Sequence, residues 1–299
     1  METNNSATEM PSTEQRGEQI VIKMTKMQIP FIKMHGLGND YVYIDCFQAE
    51  TAELLAKIDL PELARRVSDR HIGIGADGLV LIVPSMVADA RMRMFNADGS
   101  EAQMCGNAIR CVGKYLYESG LKAQTHLVIE TLAGNRTLEL QVKSGVVEQV
   151  TVDMGQPRIA QDQLTMDGKT MPFVSVNMGN PHAIFFRDTM PDTNEVAIIG
   201  KQIEKNPHFP EGTNVEFVCV RNEKEVDMRV WERGTGETMA CGTGACATGV
   251  AAMELGKTER EVTVHLLGGD LHIRWDKQNN VYMTGTATEV FRGTYNWEK

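Results

Sequence analysis

The feature that most constrains the fold of this chain is a long internal repeat. Residues 101–107 and 237–243 both carry a Glu four positions before a Cys-Gly pair, and the two cysteines, Cys105 and Cys241, stand 136 positions apart. Four further pairs of segments occur in the same order at nearly the same spacing: 31–41 with 173–183, 75–83 with 212–220, 92–96 with 228–232, and 131–134 with 266–269. Short glycine-rich segments can resemble one another by chance, but five ordered matches predict two copies of one domain.

Each copy combines strand-like runs with one helix. Ala108, Val112 and Leu116 recur at helical spacing within residues 107–119, and Gly120 can end that helix. The matching helix, over 243–255, is rich in alanine, so other elements can pack closely against it. Strands are predicted at 32–45, 78–83, 90–96, 126–130, 137–142 and 146–153. The predicted fold class is α+β, with two pseudo-symmetric domains, each a strongly curved, mostly antiparallel sheet wrapped around a central helix.

The repeat also predicts where the domains begin and end. Residues 1–30 are polar and are interpreted as a flexible N-terminal tail. The first domain is predicted to comprise 31–149 together with 288–299, because the end of the chain often supplies the last strand of the first copy. The second domain is predicted over 150–287, and the active site in the cleft between the two domains.

Composition narrows the classes of partner. The chain has 30 basic and 40 acidic residues, and its formal charge of −10 argues against nucleic acid or an anionic membrane as a partner. No apolar run approaches the ~18 residues that a membrane-spanning helix needs, and the N-terminus lacks the layout of a secretory signal. Six cysteines in 299 residues are too few for a disulfide scaffold. We therefore expect a cytoplasmic protein with reduced thiols.

The two Cys-Gly turns have the chemistry of an acid–base pair. Cys105 and Cys241 each precede a helix, and the free N–H groups and partial positive charge of a helix N-terminus favour a thiolate. The glycines that follow, Gly106 and Gly242, allow an anion such as an α-carboxylate to approach the backbone. A thiolate on one face of an α-carbon could then remove its proton while a thiol on the other face returns one. The remaining four cysteines are interpreted as packing residues.

The same residues make the sequence similar to the diaminopimelate epimerases, from Phe31 to the end of the chain. Six segments in family order carry the resemblance: 33–40, 95–101, 104–110, 178–182, 212–215 and 231–244. The resemblance implies interconversion of LL- and meso-2,6-diaminopimelate, on the route to lysine and peptidoglycan, without cofactor or metal. The residues themselves agree, because no pyridoxal phosphate, flavin or Rossmann motif stands out.

The resemblance also assigns roles to individual residues. Cys105 and Cys241 correspond to the catalytic bases. Backbone and hydroxyl donors to the reacting carboxylate correspond to Gly106, Asn107, Gly242 and Thr243. The amides that fix the other substrate groups correspond to Asn39, Asn96, Asn180 and Asn214. Arg233 would grip the distal carboxylate, Glu232 would bind the reacting ammonium, and His182 and Glu232 would tune the thiols.

One residue departs from the family pattern, and other functions stay open. Some members carry a substrate-binding Gln where this chain has Gly78, so that contact is absent or replaced.

A proline or hydroxyproline racemase has the same two-cysteine architecture but would not need Arg233 and the four asparagines. The cysteines could instead form a redox switch or a metal site, or the chain could be a binding protein without chemistry. The expected partner is a small-molecule amino-acid substrate, and a homodimer is left open.

Overall fold

The computed structural model describes residues 27–298, so most of the predicted tail, residues 1–26, lies outside the described residues. The described helices are α1 (Ala49–Leu55), α2 (Leu60–Ser68), α3 (Gly106–Glu118), α4 (Thr193–Glu204) and α5 (Gly242–Glu254). The strands of the first half are β1 (Met27–Gly36), β2 (Asn39–Asp45), β3 (Gly78–Val83), β4 (Ala90–Asn96), β5 (Glu101–Ala102), β6 (His126–Glu130), β7 (Arg136–Lys143) and β8 (Val146–Gly155). Those that follow are β9 (Arg158–Met166), β10 (Lys169–Asn177), β11 (Pro181–Phe186), β12 (Asn214–Asn222), β13 (Glu225–Glu232), β14 (Gly236–Glu237), β15 (Glu261–Leu266), β16 (Gly269–Trp275), β17 (Val281–Gly285) and β18 (Thr288–Trp297).

The strand pairings repeat from one half to the other. In the first half the order is β18-β1-β2-β3-β4-β6-β7-β8, with β5 also paired to β4. In the second half the order is β9-β10-β11-β12-β13-β15-β16-β17, with β14 also paired to β13. The pairs β2–β3 and β4–β6 are parallel, as are their counterparts β11–β12 and β13–β15. All other pairs are antiparallel, which confirms the predicted fold class.

The two halves are joined by strand pairing at the centre and by strand exchange at the edges. β8 pairs with β17 of the other half. The chain then passes from β8 into β9, which pairs with β10, and from β17 into β18, which pairs with β1. Two predicted boundaries shift. Position 150 falls inside β8, and Met27–Pro30 are not tail but part of β1, because they pair with Thr294–Trp297.

Helices α3 and α5 are the centres of the two halves. Nearly all residues of both helices are buried in one continuous apolar core. Gly113 and Gly249 explain how closely the sheets approach: a Cβ on Gly113 would lie 2.7 Å from Leu138 Cδ2, and one on Gly249 would lie 2.9 Å from Ile273 Cγ2. The prediction that each half encloses a central helix, built from small residues in the second half, is confirmed.

Several elements differ from the sequence-based prediction. The single strand predicted over 32–45 is a hairpin of β1 and β2, turned at Leu37 and Gly38, which both have positive φ. Helices α1, α2 and α4 were not predicted. α1 and α2 cover the outer face of the first sheet and α4 that of the second, and each face has a separate apolar core.

Candidate active site

A cavity of about 490 Å³ lies between the two halves and is lined by both of them. Eleven of the thirteen sequence-predicted site residues line it: Asn39, Asn96, Cys105, Gly106, Asn107, Asn180, Glu232, Arg233, Cys241, Gly242 and Thr243. The others, His182 and Asn214, lie behind this wall. The volume of the cavity is that of a binding site for a small molecule rather than for a polymer.

The two cysteines stand at the starts of the two central helices. Cys105 and Cys241 are the residues immediately before α3 and α5, and both have extended backbone. The helix starts meet: a Cβ on Gly242 would lie 3.6 Å from the Cα of Gly106, and both glycines pack on Met283. Two helix N-termini, whose first-turn N–H groups have no partner within the helix, therefore meet at one cavity from opposite halves, which is a suitable arrangement for binding an anion.

The sulfur of Cys105 contacts two polar side chains of β2. Its thiol donates a hydrogen bond to Asn39 Oδ1 at 3.5 Å, and the hydroxyl of Tyr41 donates to the sulfur at 3.9 Å. The amide nitrogen of Asn107 in turn donates to Asn39 Oδ1 at 3.2 Å and to the carbonyl of Ala240 at 3.0 Å. Asn107 therefore connects the Cys105 side of the cavity with the main chain beside Cys241.

The sulfur of Cys241 lies at the end of a hydrogen-bonded chain of side chains. Gly244 N–H donates to this sulfur at 3.4 Å, and Thr243 Oγ1 lies 3.6 Å from it. Asn180 Nδ2 donates to Thr243 Oγ1 at 3.3 Å, and Asn180 Oδ1 is 3.0 Å from His182 Nε2. Beyond the imidazole, His182 Nδ1 is 2.6 Å from Glu216 Oε1.

The hydrogen-bonded side chains form a continuous path from Glu216 to Cys241. In this orientation of the Asn180 amide, both ring nitrogens of His182 face oxygens, Nε2 that of Asn180 and Nδ1 that of Glu216, so the imidazole and the Glu216 carboxyl group form a hydrogen-bonded pair. Both side chains of this pair are fully buried. Thr243, which accepts from Asn180, is then free to donate its hydroxyl hydrogen to the Cys241 sulfur. The hydrogen bonds from Thr243 and from the Gly244 N–H favour the thiolate form of Cys241.

Burial opposes the helix termini at both cysteines. Burial raises the pKa of the Cys105 thiol, while N–H groups of Ala108 and Asn107 lower it in part. For Cys241, burial and then the carboxylates of Glu232 and Glu216 raise the thiol pKa well above its usual range. From the helix N-termini alone, the sequence predicted that both cysteines favour the thiolate. The pKa shifts run in the opposite direction, because burial in the surrounding core outweighs the local effect of the helix end.

Glu232 interacts with both thiols. It is hydrogen-bonded to the Cys241 thiol and to the Thr238 hydroxyl, and burial raises the pKa of its carboxyl group. The same carboxylate is near enough to Cys105 to raise the pKa of that thiol. A carboxylate that acts on both cysteines is suitably located to bind the ammonium group of an amino acid held between them.

The other predicted substrate contacts divide into two groups. Asn39 and Asn180 line the cavity next to the thiol networks, and Asn96 lines its exposed rim, where its amide donates to Ser100 Oγ at 3.0 Å. Asn214 differs from the prediction because it does not line the cavity. Its amide nitrogen donates to the Pro181 carbonyl and its amide oxygen accepts from Arg233 N–H, so it fixes the main chain of both neighbours.

Arg233 is an exposed side chain at the edge of the cavity. Its Nη1 donates to the carbonyl of Glu211 at 3.1 Å, which uses one of the five N–H donors of the guanidinium. A Cβ on Gly212 would lie 3.0 Å from Arg233 Cδ, so the stem of the arginine lies against this glycine. The anchored guanidinium can still bind a carboxylate with two parallel hydrogen bonds.

Sequence reasoning missed Glu216 and Tyr41. Both lie in strands without a motif around them. The pairing of β11 and β12 brings Glu216 beside His182, and the packing of α3 against β2 brings Tyr41 beside the thiol of Cys105. Glu101 and Glu237 repeat together with the cysteines, and Glu101 also lines the cavity. Each forms an ion pair with an arginine 8 positions earlier, Arg93 and Arg229 respectively.

Comparison with known proteins identifies a family. The family model described as "Diaminopimelate epimerase" matches residues 31–160 and 174–290. A diaminopimelate epimerase of Desulfitobacterium hafniense is 51% identical over 276 residues, which cover 88% of this chain and 96% of the relative. One from Acetivibrio thermocellus is also 51% identical, over 278 residues, which cover 88% and 97% of the two chains.

A solved structure supports the fold. The hydroxyproline epimerase of Agrobacterium vitis superposes with a TM-score of 0.69 at 16% sequence identity, over 92% of this chain and 94% of that one. At this identity the likeness concerns the fold alone. Separately, none of the helices within residues 27–298 combines the length and apolar character needed to cross a lipid bilayer.

Proposed function

The chain belongs to the diaminopimelate epimerase family, and we propose that it interconverts LL- and meso-2,6-diaminopimelate by proton transfer between Cys105 and Cys241. The observation that carries this mechanism is that both cysteines stand at helix N-termini and line one cavity from opposite halves of a repeated fold. A reaction that inverts one carbon in both directions needs an acid and a base on opposite faces. Two equivalent thiols, one ionised and one protonated, supply both.

The helix starts stabilise the charge that develops during the reaction. Removal of the α-hydrogen transfers negative charge to the substrate's α-carboxylate. The first-turn N–H groups of α3 and α5 would bind that carboxylate, and a preorganised donor of this kind is worth ~3 kcal/mol in the transition state. Glu232 would bind the α-ammonium, and Arg233 would bind the distal carboxylate. Asn39, Asn96 and Asn180 are proposed to complete the polar lining around the remaining groups.

The proposed reaction is tested by incubating the purified protein with LL-diaminopimelate and separating the stereoisomers by chiral chromatography. We expect meso-diaminopimelate to accumulate until the two isomers reach equilibrium. Hydroxyproline and proline are the matched controls, because a racemase of the second class would convert them. Conversion of either control in place of diaminopimelate would contradict the proposal. Participation in lysine and peptidoglycan biosynthesis belongs to the same proposal.

The pH dependence of the reaction follows from the raised thiol pKa values. One thiol must lose its proton to act as the base, and burial raises the pKa of both Cys105 and Cys241. The thiolate fraction is therefore small at pH 7 and grows as the pH rises. We expect kcat/KM to increase with pH through the neutral range, with a midpoint above ~8.5, the ordinary thiol pKa. A midpoint below pH 7, in protein that stays folded by circular dichroism, would contradict this expectation.

The Glu216–His182 pair provides a further prediction about Cys241. If the hydrogen bonds from Glu216 through His182 hold Asn180 and Thr243 in place beside the Cys241 sulfur, Glu216 and His182 act as one unit. Glu216→Gln and His182→Gln should each lower kcat about tenfold with a smaller change in KM. The double variant should be no slower than the worse single variant, as a double-mutant cycle of steady-state kinetics can establish. Additive losses would mean that the two side chains act independently.

A further inference from the structure

Tyr41 is a buried tyrosine of the cavity wall, and its hydroxyl contacts the sulfur of Cys105. The side chain is 6% exposed, and its hydroxyl lies 3.9 Å from the sulfur and also hydrogen-bonds with the Asn39 side chain. The proposed proton transfer between Cys105 and Cys241 does not use this hydroxyl. Because it contacts the sulfur, it can favour one protonation state of Cys105 over the other.

The two polar side chains at the Cys105 sulfur differ in what they can offer. Asn39 presents its carbonyl oxygen, which accepts from the thiol and cannot donate to a thiolate. The amide nitrogen of Asn39 donates to Asp77 Oδ2 at 2.7 Å, which holds the amide in the orientation that turns its oxygen, and not its nitrogen, toward the sulfur. Tyr41 presents an O–H group, which can donate to the sulfur in either state. When Cys105 loses its proton, the Tyr41 hydroxyl can therefore still donate a hydrogen bond to the sulfur, whereas the Asn39 oxygen cannot.

The repeat gives Tyr41 a counterpart in the other half. Asn39 and Asn180 belong to matched Gly-Asn pairs, and Tyr41 and His182 each stand two residues later, on the matched strands β2 and β11. His182 belongs to the hydrogen-bonded chain that ends on the Cys241 sulfur. Tyr41 and His182 thus occupy the same position in their own halves. Tyr41 contacts the Cys105 sulfur directly, whereas His182 is connected to the Cys241 sulfur through the side chains of Asn180 and Thr243.

The backbone beside Tyr41 is shaped for its ring. Strand register pairs Tyr41 with Gly78, and it pairs His182 with Asn214 in the other half. A Cβ on Gly78 would lie 2.9 Å from Tyr41 Cε1 and 2.2 Å from the carbonyl oxygen of Phe95. No side chain at position 78 could occupy this space without moving the ring. The phenol therefore supplies the polar group on this part of the wall.

We infer that Tyr41 is a positioning residue that donates a hydrogen bond to the thiolate of Cys105 and so favours the base form of that cysteine. This inference rests on the proposed two-cysteine function. Other charged groups also act on this pair: Glu232 of β13, Asp77 ahead of β3, and Arg110 of α3, which is fully buried. Removing the hydroxyl alone leaves all three in the protein.

The test measures the thiol directly, without turnover. Iodoacetamide alkylation is followed over a pH series, and the peptides carrying residues 105 and 241 are quantified separately by mass spectrometry. Tyr41→Phe should raise the alkylation midpoint of Cys105 by about one pH unit, the scale of one lost hydrogen bond to a charged group, and leave that of Cys241 unchanged. Because no substrate is present, the result is independent of whether the protein epimerises diaminopimelate.

Tyr43→Phe is the matched control, since Tyr43 is an equally buried tyrosine on β2 whose hydroxyl lies 3.4 Å from the Ala108 carbonyl. It should leave the Cys105 midpoint unchanged. An unchanged Cys105 midpoint in Tyr41→Phe, or equal shifts at both cysteines or in both variants, would overturn the inference. If Tyr41→Phe does not fold, 3-fluorotyrosine at position 41 keeps the ring and strengthens the donor. It must then lower the Cys105 midpoint, and no change would overturn the inference equally.

Discussion

Replacing either Cys105 or Cys241 with alanine is expected to lower the rate of epimerisation by about 10²- to 10⁴-fold, in line with the loss of a general acid or base. In the proposed mechanism each thiol serves one face of the α-carbon, so neither can replace the other. Steady-state conversion of LL- to meso-diaminopimelate gives the measurement. Cys219→Ala is the matched control, because Cys219 is a half-buried thiol on β12 outside the cavity lining, and this variant should keep nearly full activity.

The two variants should also differ from each other in a specific way. With one thiol left, a variant can still remove and return the α-hydrogen on the face that this thiol serves. Incubation in deuterated water should therefore label one stereoisomer in Cys105→Ala and the other stereoisomer in Cys241→Ala, without inversion in either case. Near-normal epimerisation by either variant, or the same labelled isomer with both, would contradict the assignment of one cysteine to each face.

Replacing Arg233 with methionine should lower kcat/KM by about 10²- to 10⁴-fold. The distal carboxylate would lose two charged hydrogen bonds, each worth about 1.5–3 kcal/mol. Methionine keeps most of the length of the side chain against Gly212 but removes the guanidinium. Arg221→Met is the matched control, since Arg221 is an exposed arginine paired with Asp227. Its activity should stay close to that of the unchanged protein.

A substrate that lacks the distal carboxylate tests the contact of that group with Arg233. L-Lysine is diaminopimelate without its second carboxylate, so it cannot use Arg233 for that group. The unchanged protein should strongly prefer diaminopimelate over lysine, and Arg233→Met should lose most of that preference by slowing only the natural substrate. If the variant kept the full preference, the distal carboxylate would be bound elsewhere in the cavity.

The sequence predicted those parts of the fold that are repeated along the chain. The 136-residue spacing identified Cys105 and Cys241 and the helices that they precede, because a repeated local pattern is visible without knowledge of the packing. It did not reveal α1, α2 and α4, which cover the outer faces of the sheets. Nor did it place a boundary at the hairpin turn of Leu37 and Gly38, whose flanking strands are both apolar.

Properties that depend on long-range packing could not be predicted. Glu216 is separated from His182 by 34 residues and becomes its partner only through the parallel pairing of β11 and β12. The direction of the thiol pKa shifts was predicted wrongly for a similar reason. A helix N-terminus is a local feature, whereas burial depends on how both halves close around the sulfurs.

In the proposed mechanism one substrate carbon is held between two cysteines that act on opposite faces. The decisive measurement follows the first few per cent of conversion of LL-diaminopimelate in deuterated water, with both isomers analysed by mass spectrometry. We expect one deuterium at the α-carbon of the meso product and none in the remaining LL substrate, because the hydrogen is taken by one thiol and replaced by the other. Product that keeps the original hydrogen, or equal labelling of unreacted substrate, would contradict it.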